Sequence, residues 1–91
     1  MIQKFEVLPR GATVIDLQFS SNSRLLVFAG DDTSVGILNT MHHRVDAIFM
    51  DHDKNYSCTS VSLNLSDNLI ASGSSDGTLI IRSIKENEVI V

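Results

Sequence analysis

The chain has 91 residues and a formal charge of −4, with eleven acids against seven bases; 43% of it is hydrophobic and 20% charged. This is the balance of a folded domain with enough apolar surface for one small core, and it excludes an intrinsically disordered chain. A surface that neutralises phosphates would carry the opposite sign, so nucleic acid is not an expected partner. Cys58 is the single cysteine, which rules out an internal disulfide and fits a reducing, cytoplasmic setting. The start, Met1-Ile2-Gln3-Lys4-Phe5-Glu6, has no basic-then-apolar leader pattern. No apolar run reaches the roughly 18 residues that a membrane-crossing helix needs, so no membrane partner is expected.

Along the chain, short apolar bursts alternate with turn-forming clusters. Residues 14–19 come first, closed by Ser20-Ser21-Asn22-Ser23. Residues 25–29 lead into Gly30-Asp31-Asp32-Thr33, residues 35–38 into Asn39-Thr40, and residues 45–49 end the first half. The second half repeats the theme: 61–65, Ser66-Asp67-Asn68, 69–71, Gly73-Ser74-Ser75-Asp76-Gly77, 79–81, Lys85-Glu86-Asn87-Glu88 and 89–91. Bursts rich in Val, Ile, Leu and Phe between Gly, Asn, Asp and Ser read as strands joined by hairpins. Leu17-Gln18-Phe19 and Val61-Ser62-Leu63-Asn64-Leu65 alternate with a period of two, as a half-buried strand does. No segment has a helical period. The expected class is all-β.

The two halves are copies of one pattern. A shift of 44 positions carries Leu17 and Phe19 onto Val61 and Leu63, Leu25-Leu26-Val27 onto Leu69-Ile70-Ala71, Asp32 onto Asp76, and Ile37 onto Ile81. Identities are few; the match is in residue class. A period of 40–45 residues with four strands per unit marks a propeller blade, which must stack on neighbours because it cannot bury both faces alone.

Leu69-Ile70-Ala71-Ser72-Gly73-Ser74-Ser75-Asp76-Gly77-Thr78-Leu79-Ile80-Ile81 resembles strand b, the tight turn and strand c of the WD-repeat β-propellers, and Asp51-His52 stands where that family usually has Gly-His. Residues 25–39 are a weaker copy. The resemblance implies two consecutive four-stranded antiparallel blades of a WD-type propeller: residues 12–50 as the first blade, 51–91 as the second, and 1–7 as the outer strand of a preceding blade. It also implies a non-enzymatic scaffold that binds other proteins and needs no cofactor. Since such propellers close with four to eight blades, two blades imply a piece of a larger protein, or partners in the form of remaining blades or further copies. The family's Trp-Asp dipeptide is missing; Leu38-Asn39 and Arg82-Ser83 hold its places. In the family a buried His, Ser and Asp bond in series to that Trp. His52, Ser72 and Asp76 match the first three, Arg82 stands in the Trp position, and the first unit keeps only Asp32.

A narrower likeness runs through Asp51-His52, Asn64 and Ile70-Ala71-Ser72-Gly73-Ser74. These residues, with Ser and not Asp after strand c, are similar to WD-repeat proteins that target γ-tubulin ring complexes to centrosomes and spindles, and imply a role in microtubule nucleation. The alternative is a WD-repeat adaptor in a ubiquitin ligase or a trafficking coat.

Other readings of the polar residues are weaker. His42, His43, His52 and Cys58 are zinc-ligand types, but their spacing fits no paired-ligand pattern. Ser72, His52 and Asp76 are the residue types of a catalytic triad. No Gly-x-Ser-x-Gly elbow leads into a helix, and residues 73–77 read as a β-turn whose Asp76 bonds backbone amides. Asp31-Asp32 and Asp51-His52-Asp53 lack the regular oxygen spacing of a calcium loop. Arg10, Arg24, Arg44 and Arg82 do not cluster. Arg82 stands out because it follows Leu79-Ile80-Ile81, and is expected either to pair with an acid of a neighbouring blade or to reach the surface as an interface contact.

Overall fold

A computed structural model describes residues 4–9 and 11–90. The described residues form eight strands: β1 (Val14–Phe19), β2 (Leu25–Gly30), β3 (Val35–Asn39), β4 (Arg44–Phe49), β5 (Cys58–Leu63), β6 (Leu69–Ser74), β7 (Leu79–Ser83) and β8 (Glu88–Val89). They make two four-stranded antiparallel meanders, β1-β2-β3-β4 and β5-β6-β7-β8, with no helix among the described residues.

The 44-residue repeat is stricter in the backbone than in the side chains. Strands β5, β6 and β7 begin and end 44 positions after β1, β2 and β3. A break in register between Val14 and Asp16 recurs between Cys58 and Ser60. Left-handed residues recur as well: Ser23 and Asp67, Thr33 and Gly77, His43 and Asn87. Each closes a tight turn, where positive φ matches the right-handed twist of the flanking strands. The turns are held alike. Asp32 Oδ1 accepts the amide of Ser34 and Asp76 Oδ1 that of Thr78, at 3.1 and 3.0 Å. Ser20 Oγ accepts the amide of Leu25 and Asn64 Oδ1 that of Leu69, both at 3.0 Å. At one turn both repeats keep an aspartate, and at the other a serine and an asparagine supply the same acceptor at the same place, so the repeat is preserved in residue class more than in identity.

The core lies between the sheets. Val27, Ala29, Val35 and Ile37 of the first sheet pack against Cys58, Val61, Leu63 and Ile70 of the second. Strand β5 sits across β1 and β2. Side chains of β1 also take the edge amides of β5: Asp16 Oδ2 accepts from Val61 at 3.1 Å and Gln18 Oε1 from Leu63 at 2.9 Å. At one end of the seam, Asp67 accepts from the amide and hydroxyl of Ser21.

Of the outer strand expected over residues 1–7, residues 1–3 lie outside the described residues, and Lys4–Val7 form no ladder. A strand persists where a neighbour takes its amides, and no described strand flanks this segment. At the other end β8 is short: it pairs Glu88 with Ser83 and Val89 with Arg82.

Candidate functional site

The polar residues singled out above gather on the segment that joins the two sheets, residues 50–57, and on the face of the second sheet that meets the first. His52 is buried beside Ser72, with Nε2 2.8 Å from Ser72 Oγ. Its other ring nitrogen faces Thr78 Oγ1 at 3.4 Å, and Thr78 Oγ1 donates to Asp76 Oδ1 at 2.6 Å. Since the threonine hydroxyl gives its one proton to Asp76, it can only accept from His52. In the neutral ring this puts the proton on Nδ1 and leaves Nε2 to accept from Ser72. The chain of bonds is therefore Ser72, His52, Thr78, Asp76. Hydrogen bonds from the Thr78 hydroxyl and amide hold the Asp76 carboxyl below its ordinary range.

Thr78 is the member that sequence reasoning missed. The signal was present: a Thr two residues after the turn Asp offers a hydroxyl and an amide to one carboxylate, as an Asx turn does. The arrangement also bears on the triad chemistry. Ser72 is buried, and the second nitrogen of His52 meets a hydroxyl in place of a carboxylate. No substrate can reach that oxygen without opening the seam.

Arg82 lies in the same seam. Its Nε and Nη2 grip Asp51 at 2.7 and 2.6 Å, its Nη1 donates to Asn87 Oδ1 at 3.2 Å, and its guanidinium carbon stands 4.1 Å from the centroid of the Phe49 ring. The Asp51 hydrogen bonds raise the Arg82 pKa further above its ordinary value. The acid that partners Arg82 comes from the joining segment, and the ring beneath it from β4 of the first sheet. A forked cation over an aromatic face fills the place that the larger flat side chain would take.

The remaining candidates are dispersed. Asp31 Oδ1 accepts the amide of Thr13, just ahead of β1, while Asp32 and Asp53 accept the amides of Ser34 and Asn55 within local turns. Among the described residues no three of His, Cys, Asp and Glu stand together as metal ligands. The His43 ring meets Phe5 edge-on at 6.1 Å, and the His42 amide donates to Asn39 in the β3–β4 turn. Cys58 is fully buried in the seam, its thiol donates to the Thr33 carbonyl at 3.3 Å, and burial pushes its pKa up to about 11. That is an inert structural thiol. Arg44 pairs with Asp46 on the surface at 2.9 Å, and Arg10 lies outside the described residues.

No curated protein matches the chain. Residues 44–83, which run from the start of β4 to the end of β7, match the family described as WD domain, G-beta repeat. Over that segment the chain is similar to a WD40 repeat, and its two four-stranded antiparallel sheets are consistent with WD-type propeller blades.

Proposed function

We propose that the chain is a non-enzymatic protein-interaction scaffold of WD-repeat type. The observation that carries this reading is the match of residues 44–83 to a WD40 repeat. The use of the reactive side chains supports it. His52, Ser72, Asp76 and Arg82 are all engaged by neighbours that hold the sheets and turns together. Contacts with partners would then fall on the turns. One end of the structure collects residues 53–57 and 75–77, tied by the Ser75 amide to the Ser57 carbonyl, and exposes Tyr56 and Met50, types enriched in interfaces.

The finer reading is targeting of γ-tubulin ring complexes for microtubule nucleation, which would put the chain in the cytoplasm at centrosomes and spindles. Its support is the likeness through Asp51-His52, Asn64 and residues 70–74.

The test is retention of purified γ-tubulin ring complexes, and separately of proteins from a cell extract, on the immobilised chain. Retention of the ring complexes that Tyr56→Ala weakens supports both readings. Other proteins retained by the folded chain, and released by Tyr56→Ala, support the scaffold alone. A hydrolase activity abolished by His52→Ala in a chain that stays folded would overturn the scaffold reading.

A further inference from the structure

Ser34 and Met50 meet where the first sheet gives way to the joining segment. Val35 opens β3 and pairs with Phe49 at the end of β4, so the residues just outside that pair, Ser34 and Met50, lie opposite each other. Ser34 is 3% exposed, and its hydroxyl donates to the Met50 sulfur at 3.4 Å. Met50 itself is 58% exposed. A buried hydroxyl is thus committed to a side chain that solvent also reaches.

The repeat shows that the turn could have supplied a stronger partner. The counterparts of Asp32 and Ser34 are Asp76 and Thr78. Thr78 gives both its amide and its hydroxyl to Asp76 Oδ1, at 3.0 and 2.6 Å. Ser34 gives Asp32 only its amide, at 3.1 Å, and its hydroxyl goes to Met50 instead. A thioether sulfur is a weak acceptor, so the cost of burying the hydroxyl is only partly offset. An oxygen carried by the sulfur would be a strong acceptor for the same donor. Oxidation harms a methionine packed in a core, because it sets a polar group among apolar ones. Met50 is not so placed, and the group that faces its sulfur is a donor. Met41, 64% exposed in the β3–β4 turn, is the contrast: among the described residues no donor faces its sulfur.

We propose that Met50 is a reversible oxidation site whose sulfoxide is held by the Ser34 hydroxyl. Hydrogen peroxide supplies the oxygen: its O–O bond breaks, one oxygen bonds to the sulfur, the sulfur gives up two electrons and water leaves. A turn about the Cγ–Sδ bond brings the new oxygen to the hydroxyl. A sulfoxide reductase reverses the change. The modified residue lies at the end of the structure that also exposes Tyr56, so oxidation makes a polar surface of an apolar one there without loosening the fold. That consequence rests on the scaffold reading above; the modification itself does not.

Peroxide treatment of the folded Met41→Leu chain tests this, with peptide mass mapping to read Met50 apart from Met1 and urea denaturation to read stability. Met50 is expected to convert while the β-sheet circular dichroism is kept, and conversion is expected to raise the denaturation midpoint. Methionine sulfoxide reductase is expected to return the midpoint to its starting value. With Ser34→Ala added, conversion is expected to bring no rise. Should Ser34→Ala not fold, Met50→Leu takes its place, and peroxide should then leave the midpoint where it was. A Met50 that resists peroxide in the folded chain, a midpoint that does not rise, or a rise that persists without the Ser34 hydroxyl would each overturn the proposal. These readings need no partner protein, so their failure is distinct from failure of the retention experiment. Any protein that Tyr56→Ala releases is expected to be held less well by the oxidised chain, and equal retention would overturn the effect on that surface.

Discussion

Phe28 and Ser72 hold the same place in successive repeats, and each faces a partner of opposite size: Phe28 pairs with Gly36, and Ser72 with Ile80. The Phe28 ring lies directly over Gly36, in the space a Cβ there would need. In the second sheet the smaller Ser72 bonds to His52, whose counterpart in the first sheet is Leu8. Leu8 in turn packs over Gly30. One repeat fills this layer with apolar bulk against glycine, and the other fills it with a hydrogen-bonded pair against isoleucine.

Gly36→Ala should therefore destabilise the chain although alanine suits a strand better than glycine. The ring is buried and must move, and overpacking of this kind costs roughly 1–3 kcal/mol. Chemical denaturation should show a lowered midpoint for Gly36→Ala. Adding Phe28→Leu should recover part of the loss, so the two substitutions are non-additive. Additive effects would mean that the ring does not occupy that space.

Arg82 should not tolerate lysine. Its side chain and that of Asp51 are 14% and 23% exposed, so the pair is largely shielded from solvent. Lysine keeps the charge but loses the second hydrogen bond and the flat contact with Phe49. Arg82→Lys is expected to cost about 1.5–3 kcal/mol, the range for hydrogen bonds to charged groups. Asp51→Asn should cost a similar amount, and the double variant less than the sum. Equilibrium unfolding of the three variants measures both effects.

Thr33 is a site where the chain is less stable than it could be. It is β-branched and buried, sits at φ 73°, and its hydroxyl has no partner. Left-handed backbone at such a residue costs about 1–3 kcal/mol, and an unpaired buried hydroxyl a similar amount. Glycine, which the second repeat has at Gly77, would remove both while losing about 0.5–1 kcal/mol in chain entropy and about 0.8 kcal/mol from one buried methyl. Thr33→Gly is expected to raise the denaturation midpoint, by about 1 kcal/mol in stability.

The sequence displayed the strand order because burst and turn alternate on a 44-residue period, and residue class is enough to see that. It also displayed the His52, Ser72 and Asp76 set, although the link from His52 to Asp76 passes through Thr78. For Arg82 the sequence left two readings open, an acid of a neighbouring blade or the surface; its partner is neither, but Asp51 at the start of its own unit, residues 51–91. Other features depend on which residues face each other across strands. The exchange of Phe28 with Gly36 for Ser72 with Ile80 is visible only once the β2–β3 and β6–β7 registers are known. Gln18 falls on the polar side of the Leu17-Gln18-Phe19 alternation, and nothing in the sequence singles out Asp16 two positions before it. Both are the acceptors for β5, because the seam brings an unpaired strand edge to them.

The stacking of the two sheets is the claim on which the rest depends, and the amides of Val61 and Leu63 report it most directly. Both point away from β6 and are taken by side chains of the first sheet, Asp16 and Gln18. Hydrogen exchange followed by NMR should find these two amides protected to a degree comparable with the β6–β7 ladder. Asp16→Ala should release Val61 selectively. If Val61 and Leu63 instead exchange as freely as a solvent-facing strand edge in the folded wild-type chain, the sheets do not stack as described and the seam is wrong.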